Sequence, residues 1–166
     1  MNENNTINPE EVTTEDFTNM IIDSCETEEC ENKGKVKRFA KNISKKFEEY
    51  KSKAIEMLEN AEKLDHFLER VEEKLTKLGP AGKKLAYVPE MIMLIRSYVI
   101  KEYTDISMAE IIAIIAALIY FVSPFDVFAD VIPGLGLLDD VLVMTVVISW
   151  CDEDITRYME WRKNKQ

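Results

Sequence analysis

Apolar residues recur along the first half of the chain with helical spacing. Val36, Ala40, Ile43, Phe47, Tyr50, Ala54, Met57, Ala61, Leu64, Leu68, Val71, Leu75 and Leu78 alternate steps of four and three without a break. Six heptads of this spacing predict one long amphipathic helix over residues 34–79, with a narrow coiled-coil-like seam. Ala40, Ala54 and Ala61 are small, so a second helix can approach closely there. Gly79-Pro80 and then Gly82 supply the stop. Residues 1–33 are rich in Asn, Thr, Glu and Asp and hold only scattered apolar residues. Such a segment cannot bury enough surface to offset its ordering entropy, so it is expected to be a disordered acidic tail. Val12, Phe17, Met20, Ile21 and Ile22 are the residues in it that could form a short helix on a partner.

Beyond residue 83 the pattern changes. Pro89 suits the first position of a helix carrying Met91, Ile92, Leu94, Ile95, Tyr98, Val99 and Tyr103. Ser107, followed at the third position by Glu110, reads as a capping box that opens another helix. Ile111–Phe125 is then fifteen residues without a charge, and Val141–Cys151 is eleven more. At 1.5 Å per residue the longer run reaches about 22 Å, short of the ~30 Å hydrocarbon core of a bilayer. The two runs predict an apolar helical hairpin, either buried in a soluble bundle against the heptad seam or inserted shallowly in lipid. A single span running through Pro124 is the weaker transmembrane-helix candidate.

Charge alters this picture in one respect. The net charge is −10, yet ten of the 31 acids lie in residues 1–32, which hold no Lys or Arg; the remaining 21 acids balance 21 bases. The acidity therefore belongs to the tail and does not describe the folded part. Lys33, Lys35, Lys37, Arg38, Lys41, Lys45, Lys46, Lys51 and Lys53 make the first half of the long helix basic. A basic amphipathic segment can lie on anionic lipid, although a solvated face, or one neutralised by the tail, is the blander account. Cys25, Cys30 and Cys151 do not form a disulfide framework, and no Cys/His set completes a zinc site. No basic segment followed by an apolar one marks a cleavable signal at the N-terminus.

The stretch between the apolar runs carries the specific motif. Tyr120, Ser123, Pro124, Asp126, Asp130, Ile132, Pro133, Leu135, Gly136, Leu138, Asp139 and Asp140 stand in one register with intervening Gly134. In this the chain resembles the YkvA-like domain-of-unknown-function family, more loosely from about Tyr87 to Trp161. The family pattern has proline where this chain has Ala129. The resemblance implies a small bacterial-type α-helical domain, often membrane-associated, and no established reaction.

Four carboxylates between the apolar runs need compensation, since a buried unpaired carboxylate takes up a proton instead. Capping accounts for most of them: Ser123 as N-cap, Pro124 as first helical position, Asp126 at the third, and Asp139 and Asp140 in the first turn of the following helix. Asp130 is not explained that way. Asp126 and Asp130, four apart, share a face if helical, and with Asp139 and Asp140 they are the candidate ligands for Mg²⁺ or Ca²⁺, or the holders of a shared proton. Hydrolysis is the reaction such a metal site would support. Ser123, Pro124, Pro133, Gly134 and Gly136 form the structural part of the motif.

Other chemistry is poorly served. His66, the single histidine, falls away from the seam, and no triad can be built on it. Gly134 and Gly136 lack the rest of a phosphate loop, and no nucleic-acid motif is present. Trp150, Tyr158 and Trp161, near Arg157, Arg162, Lys163 and Lys165, are either interfacial anchors or ordinary packing. The expectation is an all-α protein: tail 1–33, long helix 34–79 and a compact helical domain 83–163. Its expected role is interaction or scaffolding rather than catalysis, at the cytoplasmic side of a membrane or in the cytoplasm. Partners would be membrane lipid or a membrane protein, or a second copy through the heptad helix; no nucleic acid and no certain cofactor are implied.

Overall fold

A computed structural model describes residues 13–24, 33–78, 85–123 and 136–165. These residues are all-α. The helices are α1 (Thr14–Ser24), α2 (Lys33–Leu58), α3 (Ala61–Leu78), α4 (Val88–Val99), α5 (Met108–Val122), α6 (Gly136–Trp150) and α7 (Asp152–Lys165), with no strand among the described residues.

Helix α5 is the pillar of the fold. It packs against α2, α3, α4 and α6, while α1 covers α2 and α6, and α7 closes over α4 and α6. From Glu110 to Phe121 every α5 residue except Ile112 is buried. A helix that is apolar all round needs neighbours on all sides, and here protein supplies them. Ile111, Ile114, Ile115, Leu118 and Phe121 are fully covered, each contributing about 1.5–3 kcal/mol of apolar burial. The predicted capping box opens α5: Ser107 Oγ accepts from the Glu110 N–H, and Glu110 Oε2 accepts from the Ser107 N–H at 2.9 Å. The helix ends at Ser123, which is extended with φ −66° and ψ 130°. Pro124 follows, and a residue before proline is pushed out of the helical region. The helix therefore does not run on through Pro124. No helix among the described residues is long and apolar enough to cross a membrane, so the transmembrane-helix candidate finds no span there.

The predicted single helix over 34–79 is two helices. Asn60 ends the first and starts the second: its Oδ1 accepts from the Lys63 N–H at 3.0 Å, an N-cap bond, while its own N–H closes on the Met57 carbonyl. Asn caps helices well and extends them poorly. The apolar spacing stays in step across the break because both helices face α5. Ala40, Ile43, Phe47, Tyr50, Ala54, Leu64, Leu68 and Val71 are all buried, so the seam is filled from within the chain. Ala61, expected in the seam, is exposed at the start of α3.

The tail expected to be disordered contains α1. Thr13 and Asp16 bond reciprocally at its start. Phe17 then stacks on Phe47 of α2 with ring centroids 4.3 Å apart, and Ile21 is fully buried. Thr18 donates to Ser44 Oγ at 2.7 Å, and Thr14 to Glu48 Oε1 at 3.1 Å. These pairs make α1 and α2 antiparallel. The partner foreseen for this short helix is the chain itself.

Candidate functional site

The described residues at the end of α5, where the motif segment begins in the sequence, form a cationic collar. Tyr50 of α2 is buried, and its hydroxyl lies 2.8 Å from Ser123 Oγ. Its ring meets Tyr120 edge-on at 5.9 Å. The Lys53 and Lys46 ammonium groups lie 5.1 and 5.9 Å from the Tyr50 ring centroid. Lys74 of α3 donates to the Phe121 carbonyl and lies over the Phe121 ring. The last turn of a helix presents carbonyls without intrahelical donors and the negative end of its dipole, so cations are favoured here. None of these contacts was foreseen from the motif. The signal for Lys74 was available only as a lysine beside the seam residue Leu75.

The structure treats the predicted site residues unequally. Ser123 ends α5 and bonds Tyr50. Pro124, Asp126, Asp130, Pro133 and Gly134 lie outside the described residues. Gly136 is the first residue of α6, and Asp139 and Asp140 fall in its first turn and a half, with only their backbone described. Among the described residues no group of three or more His, Cys, Asp or Glu could hold a metal ion. His66 lies on the solvent side of α3, with its Nδ1 3.3 Å from Glu69. The aromatic residues near the C-terminus are packing residues. Tyr158 is fully buried and bonds Ser97, and Trp161 lies against both Tyr103 and Tyr158. Arg162 pairs with Glu90 at 2.8 Å and Lys165 pairs with Glu102.

A second feature lies on the outside of α2. Its inner face carries Ala40, Ile43, Ser44, Phe47, Tyr50 and Ala54, all buried. The opposite face presents Lys37, Arg38, Lys41 and Lys45, all exposed, and none of the four forms an ion pair among the described residues. Further along, Lys46 and Lys51 have Glu49 and Glu48 at 3.8 and 2.8 Å. Among the described residues, the cations of this outer face without an ion pair therefore cluster in the first half of the helix.

Residues 110–146, covering most of α5, the motif segment and most of α6, match a family model described as "Protein of unknown function (DUF1232)". The chain is also similar to the "Uncharacterized membrane protein YkvA" of Bacillus subtilis (strain 168). The two are 26% identical over 100 residues, covering 54% of this chain and 94% of that protein. Both matches support a YkvA-like family of unknown function. No solved structure matches the chain. The match begins at Glu110, the capping acid of α5, and runs through the motif residues into α6. Helices α1 to α4 lie outside it.

Proposed function

We propose that the chain is a peripheral membrane-associated helical protein, with an interaction role, that meets anionic lipid through Lys37, Arg38, Lys41 and Lys45. The observation that carries this reading is the division of labour between α2 and α5. The apolar helix is buried against protein over almost all of Glu110–Phe121, whereas the outer face of α2 offers cations that form no ion pair among the described residues. That the YkvA protein is described as a membrane protein supports the same direction. The anionic leaflet facing the cytoplasm is the matching surface. Four cations at roughly 1 kcal/mol each give at most about 4 kcal/mol, about three orders of magnitude in partitioning. Such binding is reversible and weakens with salt.

Vesicle flotation tests it. The full chain should float with phosphatidylglycerol-containing vesicles at low salt, stay behind at high salt, and ignore pure phosphatidylcholine. A Lys37→Glu, Arg38→Glu, Lys41→Glu, Lys45→Glu variant should lose flotation while keeping its melting temperature. Equal binding to neutral vesicles, or an unchanged quadruple variant, would overturn the proposal. Membranes washed with carbonate should release the protein, and retention would point instead to an inserted hairpin.

A further inference from the structure

Helix α1 lies on α2 along a line that continues into the cationic face. Thr14 bonds Glu48 at 3.1 Å and Thr18 bonds Ser44 at 2.7 Å. Counting back along α2, Glu48, Ser44, Lys41 and Lys37 are separated by steps of four, three and four, so they form one stripe of the helix. Helix α1 sits over the Glu48–Ser44 part of this stripe, while Lys41 and Lys37 are exposed. In the antiparallel register Ile21 reaches the level of Ala40 and Lys41. Phe47 and Ala40 flank the stripe on the side away from Arg38 and Lys45. Both are buried, Phe47 beneath the Phe17 ring at 4.3 Å. Helix α1 itself carries Glu15, Asp16 and Asp23 and no base. Phe17 and Ile21 anchor it, with Met20 and Ile22 partly buried, and it rests on α6 as well as α2.

We propose that α1 is an acidic cover, which an anionic bilayer displaces to open the apolar strip of α2 beside Lys37, Arg38, Lys41 and Lys45. Such a cover regulates the lipid contact proposed above and rests on that reading. A negative surface attracts the four cations and repels the three acids, so the field that draws α2 in pushes α1 away. Once α1 leaves, Phe47 and Ser44 stand next to the cations. That is the pattern of a helix lying in the interface, with its apolar side against the acyl chains. In solution the Phe17–Phe47 stack keeps the strip dry, and first contact is by charge alone. Tyr50, on the other flank of α2, stays joined to Tyr120 and Ser123 of α5, so the pillar need not open. A short helix fastened at the edge of a fold belongs to the part that opens first.

The test uses the full chain with phosphatidylglycerol-containing vesicles. Amides of α1 should exchange at least about tenfold faster on these vesicles than in solution or beside phosphatidylcholine vesicles. Thr18→Cys and Ser44→Cys, combined in a Cys25→Ser, Cys30→Ser background, supply a lock. The native hydroxyls are 2.7 Å apart, which brings the two positions within reach of a disulfide. The oxidised form should keep its α1 protection and need severalfold more lipid to float than the same chain reduced. Phe17→Ala, which loosens the cover, should need less lipid than the wild type. Flotation with α1 still protected, or equal flotation of the oxidised and reduced forms, would overturn the cover and leave the lipid reading standing. Failure of every form to float would remove both.

Discussion

The Tyr50 hydroxyl lies 2.8 Å from Ser123 Oγ, tying the middle of α2 to the point where α5 stops and the motif begins. The bond joins residues 73 positions apart, across the packed face of α2 and α5. Tyr50→Phe keeps the buried ring and its edge-on contact with Tyr120 while removing the bond, so it should cost about 1 kcal/mol. Ser123→Ala should cost a similar amount. If the bond is the common cause, the double variant should lose little more than either single one in urea unfolding. Full additivity would show that the two hydroxyls do not act together.

Helix α1 makes a second prediction. Stacked on Phe47 and only 2% exposed, Phe17 is the main anchor of α1. Phe17→Ala should destabilise the chain by about 2–4 kcal/mol, towards the lower end if α1 detaches rather than leaving a cavity. Removing residues 1–24 should lower the melting temperature and expose the α2 face around Ile43 and Phe47. An unchanged melting temperature in both variants would mean that α1 contributes nothing to stability.

What could be read in the sequence divides along physical lines. Periodicity and caps are local, so the α2–α3 seam, the Pro89 start of α4 and the Ser107–Glu110 capping box were legible. The break at Asn60 was not, because the seam stays in phase across it and no Gly or Pro marks it. Helix α1 was hidden by composition. Its acidic surroundings argue for disorder, and only Phe47 and Ser44, more than 25 residues away, give Phe17 and Thr18 something to dock on. At the motif, spacing identified the residues and left their compensation open, since the lysines of the collar come from α2 and α3.

Cys151 sits at the bend between α6 and α7, fully buried. Burial, followed by the nearby Glu110 and Asp154 charges, pushes its thiol well above the ordinary range. Thiolate is the reactive form, so this cysteine should be inert in the folded chain. In a Cys25→Ser, Cys30→Ser background, labelling by a thiol reagent near neutral pH should be at least about 100-fold slower than for a free thiol, and urea should restore it. Rapid labelling without denaturant would show that the bend opens readily.

The collar also bears on how Asp126 and Asp130 are compensated. Asp126 follows Ser123 by three residues, so its Cα stays within about 11 Å of the collar's edge whatever path the chain takes. At that range Lys53 and Lys74 attract a carboxylate and repel a divalent cation competing for it. Lysine compensation and a Mg²⁺ or Ca²⁺ site therefore differ in sign. Under the first, Lys74→Gln leaves a carboxylate and the Phe121 carbonyl without their cation, and should destabilise the chain by about 1–3 kcal/mol; adding either metal to the wild type should produce no saturable heat. Under the second, Lys74→Gln should strengthen metal binding, and Asp130→Asn should abolish it. The cations present at the end of α5 favour the first. Calorimetric titration of wild type and both variants with each metal, beside their urea unfolding curves, decides between them, and saturable binding that Asp130→Asn removes would assign the aspartates to a metal.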